Sequence, residues 1–170
     1  MSGAPRAPWW ARAFKTIAAT RFGGWYLTHV GHAIDRPLMR LSGGRLSHGA
    51  LAGLPLLTIT TTGAKSGRPR TMPLMAMPHG ADLVVIASNG GSTRHPAWYY
   101  NVRAHPRVVV EWHGRSAAYT AREAAGAERD RLWQAACRQY PGFAAYQQRA
   151  GARHIPVIVL TPEERPKAPG

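Results

Sequence analysis

Cysteine is nearly absent. Cys137 is the single one in 170 residues, so no internal disulfide can brace the chain and nothing points to an oxidising compartment. Acid is scarce too: eight Asp and Glu face 22 Lys and Arg, a formal charge of +14 with neutral histidines. Those acids (Asp35, Asp82, Glu111, Glu123, Glu128, Asp130, Glu163 and Glu164) fall mostly in helix starts, turns or the C-terminal tail, which argues against hydrolysis by paired carboxylates. Long hydrophobic runs are also missing, because Arg, Lys, His or Pro interrupts each one short of the roughly 18 residues a spanning helix needs. No secretory leader opens the chain, and a cytoplasmic location is the expectation.

The length suits one domain. Residues 1–53 form a basic lead in which Arg6, Arg12, Lys15, Arg21, Arg36, Arg40 and Arg45 interleave with Trp9, Trp10, Phe14, Phe22, Trp25 and Tyr26. Its helical spacing fits either packing on its own domain or lying at the inner face of a membrane. From residue 54 the texture changes to short apolar or β-branched runs between turn residues: 56–62, 71–77, 83–88, 108–112, 117–122 and 155–160. Tight connections at 78–81 and 113–115 predict consecutive antiparallel pairs, a pattern that suits a small barrel. Residues 95–104 and 126–149 read as helix, the latter broken at Pro141-Gly142, and 163–170 as a disordered tail.

Little in this inventory does difficult chemistry unaided. The eight histidines lack metal-ligand spacing, and Cys137 sits in an apolar helical pattern as a small hydrophobe. A cofactor is the natural supplement. The run Thr60-Thr61-Thr62-Gly63-Ala64-Lys65-Ser66-Gly67-Arg68-Pro69-Arg70 is a strand entering a glycine-punctuated loop with three cations, able to offer N–H groups, hydroxyls and charge to a phosphate. A solvated surface turn explains the same spacing. A second loop, Ala87-Ser88-Asn89-Gly90-Gly91-Ser92-Thr93-Arg94, follows the third strand and leads through His95-Pro96 into a helix. A basic module without catalysis is another reading of the same loops. Nucleic acid is disfavoured as a partner, since the aromatics do not interleave with the cations along the strands.

Taken in order, Thr61 to Arg70, Pro73-Leu74, Ala87 to Gly91, His95 to Asn101, His105-Pro106 and Tyr140-Pro141-Gly142 resemble the deazaflavin-dependent nitroreductase family, whose members use coenzyme F420. The resemblance covers roughly residues 54–162. It implies a mainly β, α+β architecture: a six-stranded antiparallel split β-barrel of the FMN-binding type, with N-terminal and peripheral helices. It further implies that Lys65, Ser66, Arg68 and Arg70 contact the cofactor's phosphate and acidic tail, that Pro73 and Leu74 flank its ring, and that Ala87, Ser88, Asn89, Gly90 and Gly91 border it. Trp98 and Asn101 would complete the ring pocket. Tyr140, Phe143 and Tyr146 would line the acceptor, with Tyr140 or Tyr146 offering a phenolic proton or hydrogen bond. The expected activity is hydride transfer from F420H2 to a hydrophobic quinone-like or nitroaromatic acceptor; an FMN-using relative on the same barrel is the alternative, since either cofactor presents a phosphate to the loops. Ala64, Asn89 and Phe143 depart from the family pattern, which leaves the cofactor better specified than the acceptor.

Overall fold

Strict alternation in the first run turns Leu57, Ile59 and Thr61 to one side, each no more than 1% exposed, while their neighbours stay half-covered. Such a period-two pattern can satisfy its backbone only by pairing on both edges. In the computed structural model, which describes residues 55–163, that strand is β1 (Leu56–Thr62), and it pairs with two others. The order is β1, β2 (Pro69–His79), β3 (Asp82–Ile86), a 3-10 turn (Asn89–Gly91), α1 (Ala97–Ala104), β4 (Arg107–Trp112), β5 (Arg115–Glu123), α2 (Gly126–Gln139), α3 (Gly142–Arg149) and β6 (Val157–Pro162). The six strands close in the order β1-β2-β3-β6-β5-β4, with every pair antiparallel. Closure removes the free edges that an open sheet must protect. The expected six-stranded barrel is therefore the observed one.

Two hydrophobic faces result. Inside the barrel, Leu57, Ile59, Leu74, Leu83, Val85, Val108, Val110, Ile158 and Leu160 pack with Trp98, Tyr99 and Val102 of α1. Outside, Val84, Val157 and Val159 turn the other way and are covered by Leu132 of α2. This is why β3 and β6 read as continuous apolar runs while β1 alternates.

The differences in strand limits have local causes. β2 runs two residues further at each end than its apolar core predicts, because Pro69 still aligns with Thr62 and His79 with Asp82. β3 stops at Ile86 rather than residue 88: the Ala87 and Ser88 carbonyls accept from the Arg153 guanidinium instead of from β6. β6 begins at Val157, after Pro156, whose missing N–H cannot join the ladder. The break at Pro141-Gly142 divides α2 from α3 as expected. The basic lead at 1–53, expected to be helical, and the stretch 164–170 lie outside the described residues; Glu163 itself accepts from the Arg107 guanidinium at 3.0 Å.

Candidate active site

Strand direction assembles the site. β1 and β3 both run toward the end of the barrel where β4 and β6 begin, so both glycine loops emerge there. The first is folded by Gly63 N–H donating to the Arg68 carbonyl at 2.9 Å and Gly67 N–H to the Gly63 carbonyl at 2.8 Å. Gly67 holds φ +64, a left-handed conformation natural to glycine. From α1, the Asn101 side chain fixes this loop: its Oδ1 accepts from Ala64 N–H at 3.0 Å and its Nδ2 donates to Thr61 Oγ1 at 3.0 Å. Asn101 is thus buried and fully engaged in clamping the loop. Lys65, Ser66, Arg68 and Arg70 are left exposed, and no described carboxylate forms an ion pair with those three cations. Cations with no described counter-charge, gathered where the loop enters β2, fit a phosphate and an acidic tail.

The second loop is held from a place the motifs do not mark. Arg153, between α3 and β6, donates Nη2–H to the Ser88 carbonyl at 2.7 Å, Nε–H to the Ser92 carbonyl at 2.8 Å and Nη1–H to the Ala87 carbonyl at 3.2 Å. The His95 Nδ1 also lies 3.2 Å from Nη1. Arginine has no acceptor, so Nδ1 must present its lone pair. Burial, and then the nearby Arg153 charge, hold the His95 pKa below its ordinary value and favour that neutral form. The lone signal in the sequence is an arginine just before a strand, too common to single out. Asn89, Gly90 and Gly91 all take positive φ in the turn, and Asn89 Nδ2 donates to the Arg94 carbonyl at 3.0 Å. Gly91 is also packed on α3, where a Cβ would meet the Tyr146 carbonyl at 2.8 Å.

Between the loops runs the outer face of β2. Met72, Leu74 and Ala76 belong to the barrel interior, whereas Met75 and Met77 join the outer clusters, so alternation puts Thr71 and Pro73 on the outside. Met75 meets a buried group formed by Tyr140, Phe143 and Tyr146. The two phenolic oxygens lie 3.1 Å apart, with ring centroids 5.2 Å apart for Tyr140 and Phe143 and 6.2 Å for Phe143 and Tyr146. Burial, followed by the Tyr146 hydroxyl, drives the Tyr140 pKa far above its ordinary value. It is a hydrogen-bond donor and never a phenolate at physiological pH. Over the Tyr146 ring, 4.8 Å from its centroid, sits the Arg149 guanidinium, whose Nε and Nη2 are buried without acceptors among the described residues. Beside Phe143, Met75, Met77, Ile86 and Ala136 line a small apolar depression of about 10 Å³, room for little more than one water.

Pro73 therefore stands on an outer face of β2 that leads to Met75 and the three aromatics, with Lys65, Ser66 and Arg68 exposed on the loop at its start; Arg70, also exposed, falls on the alternate face with Met72 and Leu74. Leu74, Ala87 and Trp98 stand behind the outer face, with their side chains in the barrel core.

Residues 34–162 match the F420H(2)-dependent quinone reductase family. The chain belongs to that family. An F420H(2)-dependent quinone reductase of Mycobacterium tuberculosis is 35% identical over 143 residues, 81% of this chain and 95% of that protein. Among solved structures, an F420-H2 dependent reductase (FDR-A) superposes with a TM-score of 0.58 at 42% identity, covering 62% of this chain and 93% of its own. Another, described as a domain-swapped dimer, gives 0.60 at 37% identity over 77% of this chain and 96% of its own. Membership in the F420H(2)-dependent quinone reductases makes the protein an oxidoreductase and decides the cofactor in favour of F420 over FMN.

Proposed function

We propose that this F420-dependent quinone reductase binds its cofactor along the outer face of β2 and receives the acceptor at the α3 aromatics. The observation that carries this reading is the order along β2: exposed cations with no described counter-charge at its start, Pro73 on its outer face, and Met75 against the buried phenol pair. Lys65, Arg68 and Arg70, with the Ser66 hydroxyl, bind phosphate and tail carboxylates. Pro73 flanks the ring, the turn from Ser88 to Gly91 borders it, and Leu74, Ala87, Trp98 and Asn101 shape this wall from behind. F420H2, when bound, supplies a hydride.

The protein's part is placement and exclusion of water. A quinone becomes a hydroquinone by taking that hydride and one proton. Each hydroxyl of the Tyr140 and Tyr146 pair has one hydrogen, and the pair uses only one between them. The other is available to an acceptor oxygen. Because the Tyr140 phenol so strongly resists ionisation, it orients and polarises that oxygen, and the proton itself comes from solvent. Phe143 and the neighbouring Met75 and Met77 are the apolar side chains closest to that donor and suit a hydrophobic quinone; a nitroaromatic is a second acceptor for the same donor.

Titration with F420 and with FMN, followed by tryptophan fluorescence, tests the cofactor half. Loss of reduced-F420 absorbance with a short-chain quinone and with a nitroaromatic tests the acceptor half. The reading requires F420 to bind more tightly than FMN, and replacing Lys65, Arg68 and Arg70 together by Ala to weaken F420 by at least ~100-fold, as loss of several charge-assisted bonds implies. Equal F420 affinity in that variant would refute the proposed tail site.

A further inference from the structure

Every hydrogen bond made by the Arg153 guanidinium to the described residues goes to the second glycine loop or to the residue that joins it to α1. It grips the Ala87 and Ser88 carbonyls before the turn and the Ser92 carbonyl after it, so the turn is bracketed from both sides. Its own backbone is fixed in turn. Gln147, next to Tyr146 on α3, donates Nε2–H to the Arg153 carbonyl at 2.8 Å and accepts from Ile155 N–H at 3.0 Å. Cofactor-side turn and acceptor-side helix are thus joined through one residue.

We propose that Arg153 is a positioning residue for F420, holding the Ser88 to Gly91 backbone at the spacing the bound ring requires, with neutral His95 completing the grip. The inference rests on the cofactor placement proposed above. Its chemistry is specific to a guanidinium: donors spread over a planar fork reach carbonyls on two sides of a turn, whereas an ammonium is a point donor. No described carboxylate pairs with it, so its charge also adds to the positive field at the cofactor end of the barrel. The groups facing His95 are Arg153 from the loop before β6, Glu123 from the end of β5, and Arg103, Tyr99 and Tyr100 from α1. Protonation would turn the His95 Nδ1 lone pair into an N–H set against Nη1–H and loosen the bracket. Since the folded form favours neutral His95, the grip is complete above the ordinary histidine range and is lost as pH falls below it.

The test measures the F420 dissociation constant by tryptophan fluorescence from pH 5 to 8, beside kcat and KM for a short-chain quinone. Arg153→Met is expected to weaken F420 by roughly 10–100-fold at pH 7.5, and Arg153→Lys by less. The wild-type protein is expected to lose F420 affinity toward pH 5. His95→Asn, whose amide oxygen can still accept from Arg153, is expected to keep its affinity there. Should Arg153→Met fail to fold, Arg153→Lys and the His95→Asn pH profile decide. Wild-type affinity in Arg153→Lys together with an unchanged acid limb in His95→Asn would overturn this inference alone. Wild-type protein that does not bind F420 would overturn it together with the cofactor placement.

Discussion

Tyr140 and Tyr146 each bury a hydroxyl whose described partner is the other. Removing one therefore strands its mate, at a cost of about 1–3 kcal/mol, whereas removing both leaves no orphan. Tyr140→Phe and Tyr146→Phe should each lower the melting temperature more than half as much as the double variant does, a sign of coupling. If the pair also polarises the acceptor, each single variant loses kcat/KM for quinone by ~10–100-fold while F420 affinity stays put. An equal loss in both measurements would place these phenols against the cofactor instead. Gly142 belongs to the same arrangement: the Tyr140 ring lies where a Gly142 Cβ would stand. That gives a physical reason for a Pro-Gly pair that the sequence offers as a helix break and as part of the family resemblance.

The turn Asn89–Gly91 and α3 form one packed unit. Gly91→Ala would need φ near +80 with a Cβ 3.0 Å from that of Arg149, strain of roughly 1–3 kcal/mol. It should depress both F420 affinity and quinone turnover, unlike a change at Lys65 or at Tyr140, which belong to opposite ends of the proposed site. A variant impaired in only one of the two would show that turn and helix move independently. The elements themselves were legible in the sequence where pattern is strong. β1 was readable as a short apolar and β-branched run before a glycine turn and the α2 break from Pro141-Gly142, because local sterics decide both. The grip of Arg153 on Ala87, Ser88 and Ser92 was not, since residues more than 60 positions apart meet only through barrel closure. For the same reason the sequence could single out Trp98 and Asn101 without showing that one packs in the barrel core and the other clamps the first loop.

Across the whole molecule the +14 charge predicts that association with a polyanion is salt-dependent. Raising ionic strength from 0.05 to 0.5 M shortens the screening length by about threefold, and F420 affinity should fall with it. Replacing Lys65, Arg68 and Arg70 by Ala should flatten that slope; an unaltered slope would mean that the general field, and not the loop, attracts the cofactor. The basic lead belongs to this scale as well. If its tryptophans anchor the enzyme to a bilayer, the full chain will pellet with anionic liposomes and a variant with Trp9, Trp10 and Phe14 changed to Ala will not.

Closure of the six strands has a further effect. The interior is filled by one group of side chains, while the phenols, Phe143 and the methionines facing them belong to a separate cluster on the barrel's flank. With the acceptor at α3 as proposed above, oxidant preference would drift, or be redesigned, by exchanging residues on α3 alone, without touching the side chains that fill the barrel.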